Sequence, residues 1–465
     1  MHNEQVFTPK NVVKRMLKEI GYGVDGCDIL HKHIIDNSCG DGAFLVEIVK
    51  LYLNSCIINN VYKEMAKVNL ETYIHGIEID YNLYKNTLKN LDEVAEQYSI
   101  YKVNWDVINA DAMDCSFFNG KMDYVIGNPP YCNVHHLKNK YDKVKKYKFA
   151  NGGMTDLYLV FFEIGLNMLN ENGILSYITP NSWLTSIAGN NFRRYLVDTN
   201  KLKSIVQYGH EKIFNNATTF CTITNLINNK TDDSFILYED GKKILLNLSQ
   251  CILDGKLYLQ DRNMMNILVN INNETQNKRI HVKNGFATLN DKMFVMNDAE
   301  ICNFIFDRHI IKTIKASKAE YCYLIFPYNE NGKPVDFNDL SNHVKEHLLN
   351  YAEKHNIDTT NRNWYLYGRT QAINDVWKFR YSINNLIRNK EDIKIRLLLP
   401  DYGIYSGYYI YSDDINLTED LLKEALMTDE FETYVKIIGK HKNGGYYTFS
   451  SKELEKYLNY YFNKY

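Results

Sequence analysis

Asn128-Pro129-Pro130-Tyr131 is where the residue types of this 465-residue chain are best arranged for chemistry. The motif follows Tyr124-Val125-Ile126-Gly127, an apolar run that reads as a buried strand ending at a tight turn. The chain has seven prolines, and two of them stand side by side here. Each fixes its φ and lacks an N–H donor, which removes the nearest competing donors from the carbonyls of Asn128 and Pro129. The Asn128 side chain and a rigid carbonyl make two acceptors, and Tyr131 adds a flat apolar face. Such a set suits a planar group bearing an exocyclic NH2, adenine above all.

Three upstream segments have the chemistry of a nucleoside-type cofactor site. Asp36-Asn37-Ser38-Cys39-Gly40-Asp41-Gly42-Ala43-Phe44 reads as a loop from strand to helix, in which Gly40 and Gly42 permit a sharp turn and close ligand approach. It has neither the full G-x-G-x-x-G nor the Lys-Ser/Thr of a P-loop, so phosphate cradling is not its role. Gly76-Ile77-Glu78-Ile79-Asp80 ends a second strand with an acid, placed where α/β folds bond ribose hydroxyls. Asn109-Ala110-Asp111-Ala112 ends a third, with Asp111 suited to accept from an adenine amino group. All three would meet at the carboxyl edge of one sheet. No metal-ligand cluster is visible, and His135-His136 reads as polar surface.

In this order the motifs resemble those of the γ-class N6-adenine DNA methyltransferases, of TaqI-like and Eco57I-like type. The resemblance covers residues 1 to about 227 and continues more faintly to the C-terminus. It implies a class I, Rossmann-like α/β sheet that uses S-adenosylmethionine, releases S-adenosylhomocysteine and needs no metal. Phe7, Thr8 and Pro9 would contact the methionine part of the cofactor. Asp36, Asn37, Ser38, Cys39 and Gly40 would form its loop, with Glu78 and Ile79 at the ribose and Asp111 and Ala112 at the adenine. Leu157 and Phe161 would cover that adenine, and Asn128 and Pro130 would also touch the cofactor. Asn128, Pro129, Pro130 and Tyr131 are the implied catalytic residues, and Tyr131 and Phe214 would stack a target base flipped out of a duplex.

The implied activity is site-specific adenine-N6 methylation of double-stranded DNA, by a stand-alone enzyme or beside a separate cognate restriction endonuclease. RNA adenine methyltransferases and protein-glutamine methyltransferases share the tetrapeptide and remain alternatives. More than 200 residues follow the catalytic region, unlike the usual layout of the glutamine enzymes. A non-enzymatic DNA-binding module is opposed by the intact motif.

The elements that must hold these residues follow the alternation of an α/β parallel sheet. Strands are expected at 33–36, 73–79, 103–109, 122–127, 173–179, 203–208 and 219–227, about seven in all. Helices are expected at 43–53, 82–97 and 157–169, with Leu157, Phe161, Ile164 and Met168 on one face. Residues 55–70 read as an inserted or extended helical stretch. The polar run Asn228 to Ser234 reads as a linker, dividing a catalytic domain (1–230) from a mixed α+β target-recognition domain (235–465). Gly285 to Thr288, Pro327-Tyr328, Trp364-Tyr365 and Gly444 to Tyr447 are its scattered family-like pieces. Gly403-Ile404-Tyr405 with Tyr409-Ile410-Tyr411 echoes a GIY–YIG nuclease, but the spacing is too short and the final glycine is absent. It reads as alternating sheet, and the chain is expected to methylate without cutting.

Composition sets outer limits. A net charge of −2 is not that of a polyanion coater, so a DNA partner requires local clusters of positive charge. Lys138, Lys140, Lys143, Lys145 and Lys146 form one cluster just after the catalytic motif. Arg380 belongs to a second, and Arg362, Arg369, Lys440 and Lys442 are further candidates for DNA contact. The nine cysteines have no C-x-x-C spacing and read as reduced structural thiols. Neither a signal peptide nor an apolar run of membrane length is seen. A cytoplasmic monomer is expected.

Overall fold

A computed structural model describes residues 8–24, 27–132, 141–150, 155–208, 213, 220–230, 232–273, 278–296, 307–316, 318–405 and 407–464. It divides into two compact units, Met1–Met265 and Asn266–Tyr465.

In the first unit α1 (Lys10–Glu19) precedes β1 (Ile34–Asp36), α2 (Ala43–Ile58), α3 (Lys63–Tyr73), β2 (Ile74–Glu78), α4 (Tyr81–Gln97), β3 (Asp106–Asn109) and β4 (Met122–Gly127). The one-turn α5 (Tyr141–Val144), α6 (Leu157–Met168), β5 (Leu169–Pro180), α7 (Asn190–Thr199), β6 (Leu202–Gln207), β7 (Cys221–Ile227), β8 (Ser234–Glu239) and β9 (Lys242–Asn247) follow. β1 is buried throughout and β4 nearly so. Their apolar runs do not alternate because helices cover both faces of the sheet. Val13, Met16, Ile48, Val49 and Leu91, from α1, α2 and α4, build the core on one face. Val160, Phe162, Phe192 and Leu196, from α6 and α7, build it on the other. The single apolar stripe expected on α6 broadens to nearly its whole circumference.

The strand order is β3-β2-β1-β4-β5-β7-β6-β8-β9. β3, β2, β1, β4 and β5 are mutually parallel, and β7 runs antiparallel to both β5 and β6. The sheet is therefore mixed, with the mutually parallel strands together at one end. Among the described residues it has nine strands where about seven were expected. Residues 228–234 are not an interdomain linker but the turn into β8, which pairs parallel to β6 and then antiparallel to β9. Buried Phe235 and Leu237 pull β8 onto the existing core, which moves the boundary between units from 230 to Met265. The stretch 55–70 resolves into the end of α2 and most of α3.

The second unit contains two four-stranded sheets. One orders His281–Asn284, Tyr408–Tyr411, Arg380–Ile383 and Ile395–Leu398; the other orders Val295–Met296, Glu320–Ile325, Ile310–Lys315 and Gly403–Tyr405. Phe286, Ile314, Leu324, Tyr367 and Tyr409 are among its core residues. Gly403–Tyr405 and Tyr408–Tyr411 fall in different sheets and are buried at every position. The alternating exposure expected of them is therefore absent, because packing covers both faces.

Candidate active site

Strand order turns back between β1 and β4, and open α/β sheets take ligands at the carboxyl ends of the strands at such a point. β1 brings Asp36 and the glycine loop to one side of this crevice, and β4 brings Asn128 to Tyr131 to the other. The two approach closely. A Cβ on Gly127 would lie 2.7 Å from Asp36 Oδ1, so no larger residue fits there without displacing the acid. Ser38 Oγ donates a long bond to the backbone carbonyl of Asn128 (3.5 Å), so that carbonyl does have a donor and Pro129 O is the more available of the two.

The loop is held from two neighbouring elements. Gly40 and Gly42 have φ of +58° and +90°, the left-handed region glycine enters at no steric cost. Glu78 accepts from Gly40 N and from Asp80 N, each at 2.8 Å. The carboxylate keeps acceptor capacity for a ribose hydroxyl. From α4, Thr87 Oγ1 donates to Gly40 O (2.7 Å) and Asn90 Nδ2 to Asp41 O (2.8 Å).

Asp36 is 1% exposed. Burial raises its pKa to about 8, against the pull of the Ser38 N–H it accepts. Burial also raises Glu78. Two acids held out of water favour a ligand that brings positive charge to them. A Cβ built on Gly40 would meet nothing within 4 Å, leaving room for a ligand to approach the backbone. An adenosyl amino acid with an ammonium and a sulfonium fits this donor set and this space.

Other expected cofactor residues are placed less uniformly. Asn37 turns into the core, accepting from Tyr177 Oη at 2.9 Å, and Cys39 is buried. Their side chains support the loop from below, so any ligand contact of theirs is through the backbone. Asp111 is the N-cap of a short 3-10 turn and accepts from Met113 N. Ala112, Leu157 and Phe161 are buried, whereas Ile79 is 55% exposed at the rim. Phe7 lies outside the described residues, and Pro9 caps α1.

In the tetrapeptide, Asn128 Nδ2 donates to Thr8 Oγ1 at 3.1 Å. Pro129 is buried and Pro130 exposed. Tyr131 donates its hydroxyl to Ile178 O on β5 (3.0 Å) and stands edge-on to Tyr158, with centroids 6.4 Å apart. Tyr158 in turn bonds Ser182 Oγ at 3.0 Å, and Leu157 N donates to Cys132 O. The motif is thereby bracketed by β5 and by the start of α6. Sequence reasoning missed Thr87 and Tyr177, since neither hydroxyl stands in a motif or at a strand end.

The candidate DNA contacts separate by exposure. Arg362, Arg369, Lys440 and Lys442 are exposed. Lys143 pairs with Asp114 (2.6 Å) and Lys145 with Asp142 (3.6 Å), while Lys146 is exposed. Lys138, Lys140 and Phe214 lie outside the described residues. Arg380 is a correction: it is fully buried, donating to the carbonyls of Lys378, Val376 and Tyr402. Its guanidinium sits 5.2 Å from the Tyr409 ring centroid. Its strand runs through the middle of a sheet, so the charge cannot reach a phosphate.

Among the described residues no group of His, Cys, Asp and Glu is arranged to hold a metal ion, and no helix is long and apolar enough to cross a membrane. Residues 43–214 match the family of the Eco57I restriction-modification methylase. The chain is 24% identical to the type II restriction enzyme and methyltransferase RM.Eco57I of Escherichia coli, over 93% of this chain and 54% of that protein. It is 22% identical to the type II methyltransferase M.BstVI of Geobacillus stearothermophilus, over 97% of this chain and 89% of that one. It thus spans about half the length of the Eco57I enzyme and most of the BstVI one. Among solved structures, a nuclease-deletion mutant of the Type ISP restriction-modification enzyme LlaGI, in complex with a DNA substrate mimic, has the same fold. That likeness has a TM-score of 0.54 at 14% identity, over 88% of this chain and 42% of the other. Motif order, family match and relatives agree in what they resemble: the chain is similar to the Eco57I restriction-modification methylase and to type II methyltransferases.

Proposed function

We propose that this chain is a site-specific DNA methyltransferase that places a methyl group on N6 of an adenine extruded from duplex DNA. It would act alone or as the modification partner of a separate endonuclease. The observation that carries this reading is the pairing, at one crevice, of a rigid acceptor motif with a loop suited to a cationic adenosyl cofactor. S-adenosylmethionine, when bound, supplies a methyl group already activated by its sulfonium. Asp36, the loop through Gly40, and Glu78 would hold it.

The chain's own task is orientation. The adenine amine is delocalised into its ring and is a poor nucleophile. Acceptance of its two hydrogens by Asn128 Oδ1 and Pro129 O would raise electron density on N6 and turn its lone pair out of the ring plane. Neither acceptor is basic, so the proton N6 sheds on methylation leaves to water. Tyr131, fixed through its hydroxyl to Ile178 O, would present its ring face to the flipped base. The second unit would read the target sequence, with Arg362, Arg369, Lys440 and Lys442 as its exposed cations.

The test is transfer of tritiated methyl from S-adenosylmethionine to duplex DNA, RNA and protein in parallel, with Asn128→Ala as control. Label should appear on adenine of duplex DNA and vanish in the variant, whose cofactor binding persists. Label confined to RNA or protein would refute the assignment.

A further inference from the structure

Arg193, in the first turn of α7, is 4% exposed. A cation in the interior is costly unless an opposite charge meets it. Burial pushes this guanidinium below its ordinary range, and the groups that raise it again are Tyr158 and Tyr258, not a carboxylate. Its donors go to backbone carbonyls: Nε to Gly255 O (2.5 Å), and Nη1 to Trp183 O (2.5 Å) and Ser186 O (2.8 Å). Carbonyls satisfy the hydrogen bonds and leave the net charge in place.

That charge borders an open concavity of about 310 Å³, also lined by Thr185, Ser186, Asn190 and Lys256, with Asp254 as its one acid. Two cations, two hydroxyls and an amide form a donor set for a tetrahedral oxyanion. The concavity also belongs to the reaction edge. Its loop leaves the carboxyl end of β5, where Tyr177 stands in register with Gly127. Ser182, at the root of that loop, connects through Tyr158 to Tyr131. Ile187, 85% exposed on the same loop, offers an apolar contact for a deoxyribose.

We propose that this concavity receives a backbone phosphate of the duplex next to the extruded adenine. The proposal rests on the DNA methyltransferase reading and adds to it a docking point within the catalytic unit.

Arg193 also braces the loop, so its loss risks misfolding, and Lys256→Gln carries the test. Duplex binding is measured by fluorescence anisotropy across a salt series, in wild type and variant. The duplexes carry a neutral methylphosphonate at each position in turn around the methylated adenine. Wild type should lose about fivefold in affinity at one or two positions, and Lys256→Gln should lose markedly less there. The variant's slope of log affinity against log salt should be shallower by about 1, with S-adenosylmethionine affinity unchanged. Equal losses in both proteins at every position, or an unchanged slope, would overturn the phosphate site while leaving the methyltransferase reading intact. Failure of wild type to methylate any duplex would remove both.

Discussion

The Asn128 amide is anchored by a residue 120 positions earlier, donating through Nδ2 to Thr8 Oγ1 at 3.1 Å. With its nitrogen committed to Thr8, Asn128 turns the opposite side of the amide, its oxygen, away from that contact. An acceptor is what an adenine amine requires, so Thr8 selects the useful orientation of a group with two nearly isosteric faces. This role differs from the cofactor contact that the Phe7-Thr8-Pro9 motif implies.

Thr8→Val keeps the side-chain shape and removes the acceptor. Turnover should fall about 10- to 100-fold, equivalent to roughly 1.4–2.8 kcal/mol of barrier, while S-adenosylmethionine affinity changes little. Thr8→Ser should restore most of the rate. A variant that binds the cofactor poorly yet turns over normally at saturation would assign Thr8 to the cofactor instead.

Asp36 should make the stability of the cofactor-free chain depend on pH. Its pKa is about 8 in the fold against 3.8 for an ordinary aspartate carboxyl. Between these values the folded chain holds a proton that the unfolded chain has released. The stabilisation is therefore complete below pH 3.8 and is lost as pH rises to about 8. Thermal melts from pH 5 to 8 should show a falling midpoint, and Asp36→Asn should flatten the slope. Saturating S-adenosylmethionine should flatten it too, since a neighbouring cation lowers a carboxyl pKa. A slope unaffected by either change would contradict the burial argument.

Gly165 faces the sheet from inside α6, where a Cβ would fall 2.5 Å from both Leu175 Cδ1 and Tyr177 Oη. Alanine gains about 1 kcal/mol of helix propensity, but overpacking a dense core costs about 1–3 kcal/mol. The displaced Tyr177 also loses its bond to Asn37. Overpacking should win, with Gly165→Ala less stable by about 1–3 kcal/mol in urea unfolding and its cofactor loop loosened. A stabilised variant would mean that this contact relaxes easily.

Arg380→Met should damage the second unit instead of weakening phosphate contact. Burial has driven the guanidinium down to about 10, and its removal takes a donor from the carbonyls of Lys378 and Tyr402 and one of two donors from that of Val376. A loss of at least about 2 kcal/mol is expected. The salt slope of DNA binding by the surviving folded fraction should be unchanged. A variant of normal stability with a shallower slope would restore Arg380 to the interface.

The first unit was legible where burial on both faces leaves an unbroken apolar strand and a glycine or acid marks its end. Asp36, Glu78, Asp111 and Asn128 all stand at or just beyond the carboxyl ends of their strands for that reason. β8 and β9 were not legible. A polar turn at 228–234 looks the same whether it joins two domains or two strands of one sheet, and only the burial of Phe235 and Leu237 decides. Arg380 was misread because charge in a sequence says nothing of which face of a strand it occupies, or of the carbonyls waiting for it. The side chain of Asn37 was not legible either: its neighbours in sequence line the loop, while its partner Tyr177 comes from β5.

β7 is wedged between β5 and β6, although both precede it in the chain. Ile178, whose carbonyl anchors Tyr131, is also the register partner of Ile223 on β7. As the chain leaves the ribosome, β5 keeps one open flank until residues 221–227 emerge. A nascent chain arrested before that point contains every motif residue yet lacks the strand that braces the tyrosine's anchor, so the crevice is complete only once β7 has been made.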